Sequence, residues 1–435
     1  MKILLCHSYY TLRGGEDRSF EEERELLLAH GHQVIEYVRR NEELVGASRL
    51  ATAATTLWNR NAARDVAQLI DAHRPDVLHA TNTFPLISPS VCDAAHRRGV
   101  AVVQALRNYR LLCANSYLMR DGRPCEECIG RSIPWPAVKH RCYRDSAAAS
   151  AVVGAMQVVH RTLGVWRNRV DAFFTLTNFA RQKFVDAGLP AARLHVKYNS
   201  VSPDPGVGAG AGGYVALVGR LSPEKGIAAA LGAWKADATL PPLAIVGDGP
   251  LRGDVEAAAA ADPRITCHGE LSNHAAQRVI GDATALLMPS LWYETFGRTI
   301  AEAYATGTPV AASRLGAMAE LVDDGATGLL FHPGDADDLA RCVSQLTTLP
   351  EKEQLALRRR ARAAYERQFT PAHNYNRLLE IYTIALKESQ VRRGATTVRT
   401  EHSAAAPEMS ENRRPEKRKS EEPATEPLKP TCSAG

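Results

Sequence analysis

No apolar run in this chain is long enough to cross a bilayer. The longest, AAASAVVGAMQVV at 147–159, falls short of the roughly 20 residues a spanning helix needs and reads as a buried helix. The opening MKILLCHSYYTLRGGED has too short an apolar stretch for a secretory signal, and no small-residue cleavage site follows it. The expectation is therefore a cytoplasmic protein. A strong charge of one sign is lacking too. The formal net charge is only +5, part of it in the C-terminal tail, so a dedicated nucleic-acid binder is not expected. The G-x-G-x-x-G spacing of dinucleotide enzymes is absent after the first apolar run, which speaks against a nicotinamide cofactor. No internal repeat appears beyond a shared strand–helix rhythm.

What is present suits a soluble protein of more than one core. A chain of 435 residues, 45% hydrophobic and 23% charged, exceeds one ordinary domain. Strand-like runs alternate with helical ones. KILLC (2–6), HQVIEYV (32–38), DVLHAT (76–81), VAVVQAL (100–106) and AFFTLT (172–177) read as strands, with helices between them. A second series reads YVALVG (214–219), LAIVG (243–247), ITCHG (265–269), ATALLMPS (283–290) and PVAAS (309–313). Such alternation gives parallel sheets covered by helices on both faces. The fold expected is α/β, with two Rossmann-like, doubly wound domains facing across a cleft. The first spans 1–202 and carries an irregular Cys-rich insertion at 108–146. A long helix is expected over 147–169. The glycine-rich stretch 203–213 reads as a flexible linker. The second domain spans 214–370, a last helix covers 371–388, and the polar tail 389–435 is expected to be disordered.

Three segments carry chemistry. In YETFGRTIAEAYATGTPVAAS (293–313) a loop follows a strand and a helix starts near Gly297. Ligands of open α/β sheets bind at such strand ends, and free amides at a helix start attract phosphate. On this reading Glu294 binds sugar hydroxyls, the amides of Phe296, Gly297 and Arg298 face a diphosphate, and Glu302 holds a ribose. The alternative is a solvated helix with two surface glutamates. VALVGRLSPEKG (215–226) then places Arg220 and Lys225 in one turn, where fixed cations stabilise a leaving diphosphate. An ordinary charged surface loop is the alternative there. Gly14 and Gly15, after the first strand, mark a place for backbone to approach a ligand, or only a tight turn. VGDGP (246–250) poses the same choice. His7 and His79 read either as cleft residues or as hydrogen-bonded core histidines.

In order along the chain, LVGRLSPEKG, IVGDGPL, MPSLWYETFGRTIAEAYATGTPVAAS, GAMAELVDDGATGLLFHPGDADDLA and FTPAHNYNRLLEIYTIAL resemble glycosyltransferase family 4. From KILLCHSYYTLRGGED through NTFPLISPSV to NYRLLCANS, the first half is similar to bacterial members linked to polysaccharide assembly. The resemblance covers about residues 1–388. It implies the two-Rossmann GT-B fold and a retaining sugar transfer from a nucleotide-diphosphate sugar, with no cofactor for catalysis. The acceptor implied is a saccharide or a lipid-linked saccharide. Arg220 and Lys225 would bind the diphosphate, Glu294 the sugar and Glu302 the ribose, with Glu294, Arg220 and Lys225 the catalytic set. Relatives commonly carry histidine where this chain has Thr81 and Arg107. Arg107 keeps a donor on the acceptor side but loses a neutral proton carrier. A non-catalytic nucleotide-sugar binder of the same fold is the alternative. A hydrolase using Glu294 and Glu302 as an acid/base pair is a rival that the two cations disfavour.

Cys113, Cys125, Cys128 and Cys142 fall in the irregular insertion, and C-x-x-C at 125–128 has metal-ligand spacing. A structural zinc and plain buried thiols are both open, with His140 a substitute ligand. The basic stretch HRTLGVWRNR (160–169) reads as a solvated helix face or as a peripheral contact with the inner face of an anionic membrane.

Overall fold

The computed structural model describes residues 1–11 and 14–404, with side chains of the last helix described to residue 393. Met1–Val391 forms one compact unit, and Arg392 begins a second. Fourteen strands occur among the described residues. The first sheet contains β1 (Lys2–Tyr9), β2 (Gln33–Arg40), β3 (Val77–Ala80) and β4 (Ala101–Leu106). A two-stranded hairpin, β5 (Met119–Arg120) and β6 (Arg123–Pro124), lies in the insertion. β7 (Ala172–Thr175) and β8 (Leu194–Val196) complete the first sheet, in the order β2-β1-β3-β4-β7-β8. The second sheet contains β9 (Val215–Val218), β10 (Leu243–Val246), β11 (Ile265–Gly269), β12 (Ala285–Met288), β13 (Val310–Ser313) and β14 (Gly328–Phe331). Its order is β11-β10-β9-β12-β13-β14. Both large sheets are parallel, as two doubly wound domains require.

β1 shows why these runs become central strands. Residues 3–8 are all buried, so both faces must find partners. Ile3 and Leu5 join Phe20, Leu27 and the last helix's Leu378 and Ile381. Leu4 and Cys6 point the other way, toward Val66, Ile70 and Val91. Alternation at period two thus feeds two separate cores from one apolar run.

Besides the hairpin β5–β6, two strands of the large sheets exceed the expectation. β8 and β14 are short edge strands, too brief for a clear period in the sequence. The helix expected over 147–169 is broken into Ala147–Thr162 and Val165–Asn168. Gly164 between them sits at φ 65°, which ends the first helix.

The stretch 203–213 is a docked strap rather than a free linker. Gly208, Gly210 and Gly212 donate backbone N–H groups to the carbonyls of Thr306, Gly281 and Asp282 at 3.0, 3.0 and 2.8 Å. A Cβ on Gly208 would fall 2.2 Å from the Gly281 carbonyl oxygen, so glycine is needed for this approach. The last helix runs Pro371–Ala404, well past residue 388. The tail expected from 389 therefore begins inside this helix, and residues 405–435 lie outside the described residues. The helix returns to the first domain, where Tyr382 Oη meets His79 Nδ1 at 2.8 Å. The two domains also meet directly. The Glu320 carboxylate accepts the Asn178 and Phe179 amides at 2.8 and 2.7 Å, capping the helix Asn178–Asp186 from the opposite domain.

Candidate active site

The residues after β9 and β12 converge beside the cleft. Lys225 Nζ donates to Glu294 Oε1 at 2.6 Å. Ser290 Oγ and Trp292 Nε1 donate to the same oxygen at 2.8 and 3.0 Å. Glu294 is buried, so these donors replace the water it gave up. Arg220 does not join this cluster through a direct bond. Its guanidinium pairs with Glu224, and its side chain is 53% exposed at the loop surface.

Gly297 sits at φ 87° and precedes the helix Arg298–Ala305. A left-handed residue at that point turns the loop into the helix, which favours glycine. Phe296 is buried and packs near Phe369, so its side chain belongs to the core. Glu302 lies one turn into the helix, with Arg298 Nε at 3.2 Å. Arg298 also reaches across to the first domain, donating to Glu22 Oε2 at 3.0 Å. Arg18, four residues before Glu22, approaches Glu302 at 3.6 Å and donates to Asn273.

So one helix of the first domain, Gly15–Ala29, supplies Arg18 and Glu22 to the Glu302 end of the site. Sequence reading missed both, along with Ser290 and Trp292. For Arg18 and Glu22 only their spacing of four was visible, and that also describes any helix surface. Trp292, two residues from Glu294 in a strand-end loop, was the available signal.

Gly14 precedes that same helix in extended conformation, and a Cβ on Gly14 or Gly15 would meet nothing within 4 Å. Neither glycine is forced by its own surroundings. The VGDGP loop differs. A Cβ on Gly247 would lie 1.9 Å from the Gly219 carbonyl oxygen, so this loop packs on the backbone that carries Arg220.

Arg107, expected to keep a donor on the acceptor side, is engaged within the first domain. Its guanidinium is buried, with Nη2 2.6 Å from Glu23 Oε1 and Nη1 donating to Asn199 at 2.9 Å. Lys197 Nζ lies 2.5 Å from the same Glu23 oxygen. Burial alone would raise the Glu23 carboxyl, but Arg107 and Lys197 hold it well below the usual carboxylate range. A carboxylate buried there demands cations, and Arg107 meets that demand instead of offering a free donor. His79, beside them, is kept neutral by burial, its pKa lowered to about 4. His7 is also interior, held by Asp17 at 2.9 Å and Thr81 at 2.7 Å. Thr81 and Arg107 also line a small cavity of about 30 Å³ in the first domain. Its walls include Phe84, Leu111, Met156 and Trp166.

Among the described residues no group of three or more His, Cys, Asp or Glu is arranged to hold a metal ion. Cys113, Cys125, Cys128 and Cys142 share one neighbourhood, since burial first and then the neighbouring thiols push Cys128 up to about 11. Cys113 Sγ instead donates to Asn115 Oδ1 at 2.9 Å.

Two Rossmann-like domains with charged side chains meeting between them define the GT-B class of fold. Comparison with known proteins agrees. Residues 212–348 match the family model described as glycosyl transferases group 1. The chain is 34% identical over 110 residues to a sulfoquinovosyl transferase of Arabidopsis thaliana, covering 25% of this chain and 21% of the relative. It is 29% identical over 324 residues to alpha-D-kanosaminyltransferase of Streptomyces kanamyceticus, covering 72% of this chain and 77% of the relative. The crystal structure of HepE from Anabaena in complex with UDP superposes with a TM-score of 0.63 at 17% identity, covering 88% of this chain and all of that one. The chain thus spans about a fifth of the first relative and most of the second. Residues 212–348 are thus similar to glycosyl transferases group 1, and the chain as a whole shares the fold of the HepE structure.

Proposed function

We propose that this protein is a retaining glycosyltransferase that moves a sugar from a nucleotide-diphosphate sugar to a saccharide or lipid-linked acceptor in cell-surface polysaccharide assembly. The observation that carries the proposal is the Lys225–Glu294 pair, half-buried at Lys225 and buried at Glu294, and braced by Ser290 and Trp292. In this reading Lys225 and Arg220 stabilise charge gathering on the departing diphosphate. Glu294 grips sugar hydroxyls, and Glu302 binds the ribose in place of its bond to Arg298. The amides at Phe296, Gly297 and Arg298 face the diphosphate, with Gly14 and Gly15 leaving room on the opposite wall. The departing phosphate takes the acceptor proton on the same face. The retaining course rests on the family resemblance.

UDP-sugars come first in the donor screen because HepE was crystallised with UDP. A nucleotide sugar that binds should raise the melting temperature, and radiolabel from it should then appear in a saccharide or lipid-linked product. If no UDP- or GDP-sugar shifts melting or donates label, the proposal fails.

Peripheral contact with an anionic membrane is a further part of the proposal. Ile133, Trp135 and Leu163 are exposed by 64%, 50% and 54%. Arg161 donates to the carbonyl of Ser132, linking the end of the helix Ala147–Thr162 to the segment that carries Ile133. Arg131 and Lys139 both lie over the Trp135 ring. Between residues 131 and 169 Asp145 is the only acid among many Lys and Arg. Apolar side chains ringed by cations fit a surface of negative headgroups. Among the described residues no helix is long and apolar enough to cross a membrane. Flotation should show binding to vesicles containing phosphatidylglycerol, loss of binding in high salt, and little binding to phosphatidylcholine alone. Trp135→Ser with Leu163→Ser should weaken the anionic binding roughly tenfold. Equal binding to both vesicle types, or none, would refute this part.

A further inference from the structure

Tyr117 belongs to the Cys-rich insertion of the first domain, yet it spends its side chain on the second. Its ring stands edge-on to Trp292, with centroids 5.0 Å apart and planes at 82°. Trp292 is the residue whose Nε1–H holds Glu294, and the Lys225 ammonium lies 5.5 Å over the same indole. Arg220 also lies close enough to the Tyr117 phenol to interact with it electrostatically. One residue from the first domain therefore meets the group that orients Glu294 and one of the two expected diphosphate cations.

The backbone is bent to make this happen. Ser116 and Leu118, on either side of Tyr117, adopt φ values of 67° and 49°. A left-handed conformation costs a non-glycine residue about 1 kcal/mol or more. Side chains hold the bend in place. Asn115 Oδ1 accepts the Tyr117 N–H at 2.9 Å, and Asn115 Nδ2 donates to the Met119 carbonyl at 2.8 Å. Arg110 grips the Ala114 carbonyl and the Ser116 hydroxyl. Leu118 is buried while Tyr117 is 38% exposed. The turn thus presents one aromatic ring to the opposite domain and anchors its neighbours.

We infer that Tyr117 is a positioning residue of the donor site, closing it from the first domain over the Lys225–Glu294 pair and fixing Trp292 against the sugar-binding carboxylate. The inference rests on the function proposed above. Its chemical consequence is exclusion of water. With the aromatic wall gone, a water oxygen can bond the anomeric carbon as the bond to the phosphate oxygen breaks. The products are free sugar and nucleoside diphosphate, with the water proton passing to the departing phosphate or solvent. Transfer and hydrolysis then compete for the same donor.

The test compares wild type, Tyr117→Phe and Tyr117→Ala on whichever nucleotide sugar the wild type uses. For Tyr117→Ala we expect donor KM to rise about tenfold and the ratio of free sugar to transferred sugar to rise by a similar factor. Tyr117→Phe keeps the ring edge on Trp292 and loses only the hydroxyl, so it should restore both quantities to within about threefold of wild type. Far-ultraviolet circular dichroism and melting temperature should match across the three. A Tyr117→Ala enzyme with wild-type KM and product ratio overturns the inference while leaving the proposed function standing. A wild type that uses no nucleotide sugar overturns both.

Discussion

A Glu294→Gln protein should fold like the wild type and transfer sugar roughly a hundredfold more slowly or worse, a loss of about 3 kcal/mol in transition-state stabilisation. Glutamine keeps the shape and can still accept the Ser290 and Trp292 hydrogen bonds. What it removes is the charge that pairs with Lys225 at 2.6 Å. The ammonium would then lose its fixed partner, and the sugar hydroxyls a charged acceptor. Lys225→Ala should cost as much by the other route, since it strips a fixed cation from the departing diphosphate. The two act through one contact, so the double variant should lose much less than the product of the single losses. Single-turnover rates at saturating donor measure this directly. Rates within a factor of about ten of wild type in both single variants would remove the pair from the catalytic set.

The parts of this site that were legible in sequence are those set by neighbours along the chain. The strand–loop–helix order around Glu294, Gly297 and Glu302 follows from an apolar run, a glycine and a second period, and all three lie in one continuous stretch. Parallel sheets follow from the same alternation. Contacts between distant segments left no local trace. Nothing near Tyr117 announces that Ser116 and Leu118 turn it toward Trp292. Arg18 and Glu22 look like any solvated pair on a helix. The glycine run 203–213 looked flexible because composition reports what a backbone can do, whereas docking onto Gly281 and Thr306 depends on a partner some seventy to a hundred residues away. Arg107 is a related case. Its position at a strand end pointed to the cleft, and its true partner, Glu23, was hidden in a helix rich in glutamates.

That partnership sets up the largest stability effect expected here. Glu23→Gln should destabilise the protein by about 3–5 kcal/mol, because it leaves the buried Arg107 and Lys197 facing each other without a counter-charge. Melting temperature should fall by roughly 10 °C. Combining Glu23→Gln with Lys197→Met removes one anion and one cation together, so the double variant should melt above Glu23→Gln alone. If the double variant instead shows the sum of both losses, the three charges do not act as a unit. Acid should act on the same network. The Glu23 carboxyl has a depressed folded pKa, so its contribution is complete above the unfolded value of 4.5 and is lost as pH falls below it. His79 is neutral when folded, with a pKa of about 4 against 6.5 unfolded, so the unfolded chain binds its proton first as pH drops. Stability should therefore begin to decline near pH 6.5 and fall further below 4.5. Chemical denaturation at pH 7, 5.5 and 4 checks the order of these two steps, and a midpoint unchanged between pH 7 and 5.5 would mean that His79 is not held neutral by its burial beside Arg107 and Lys197.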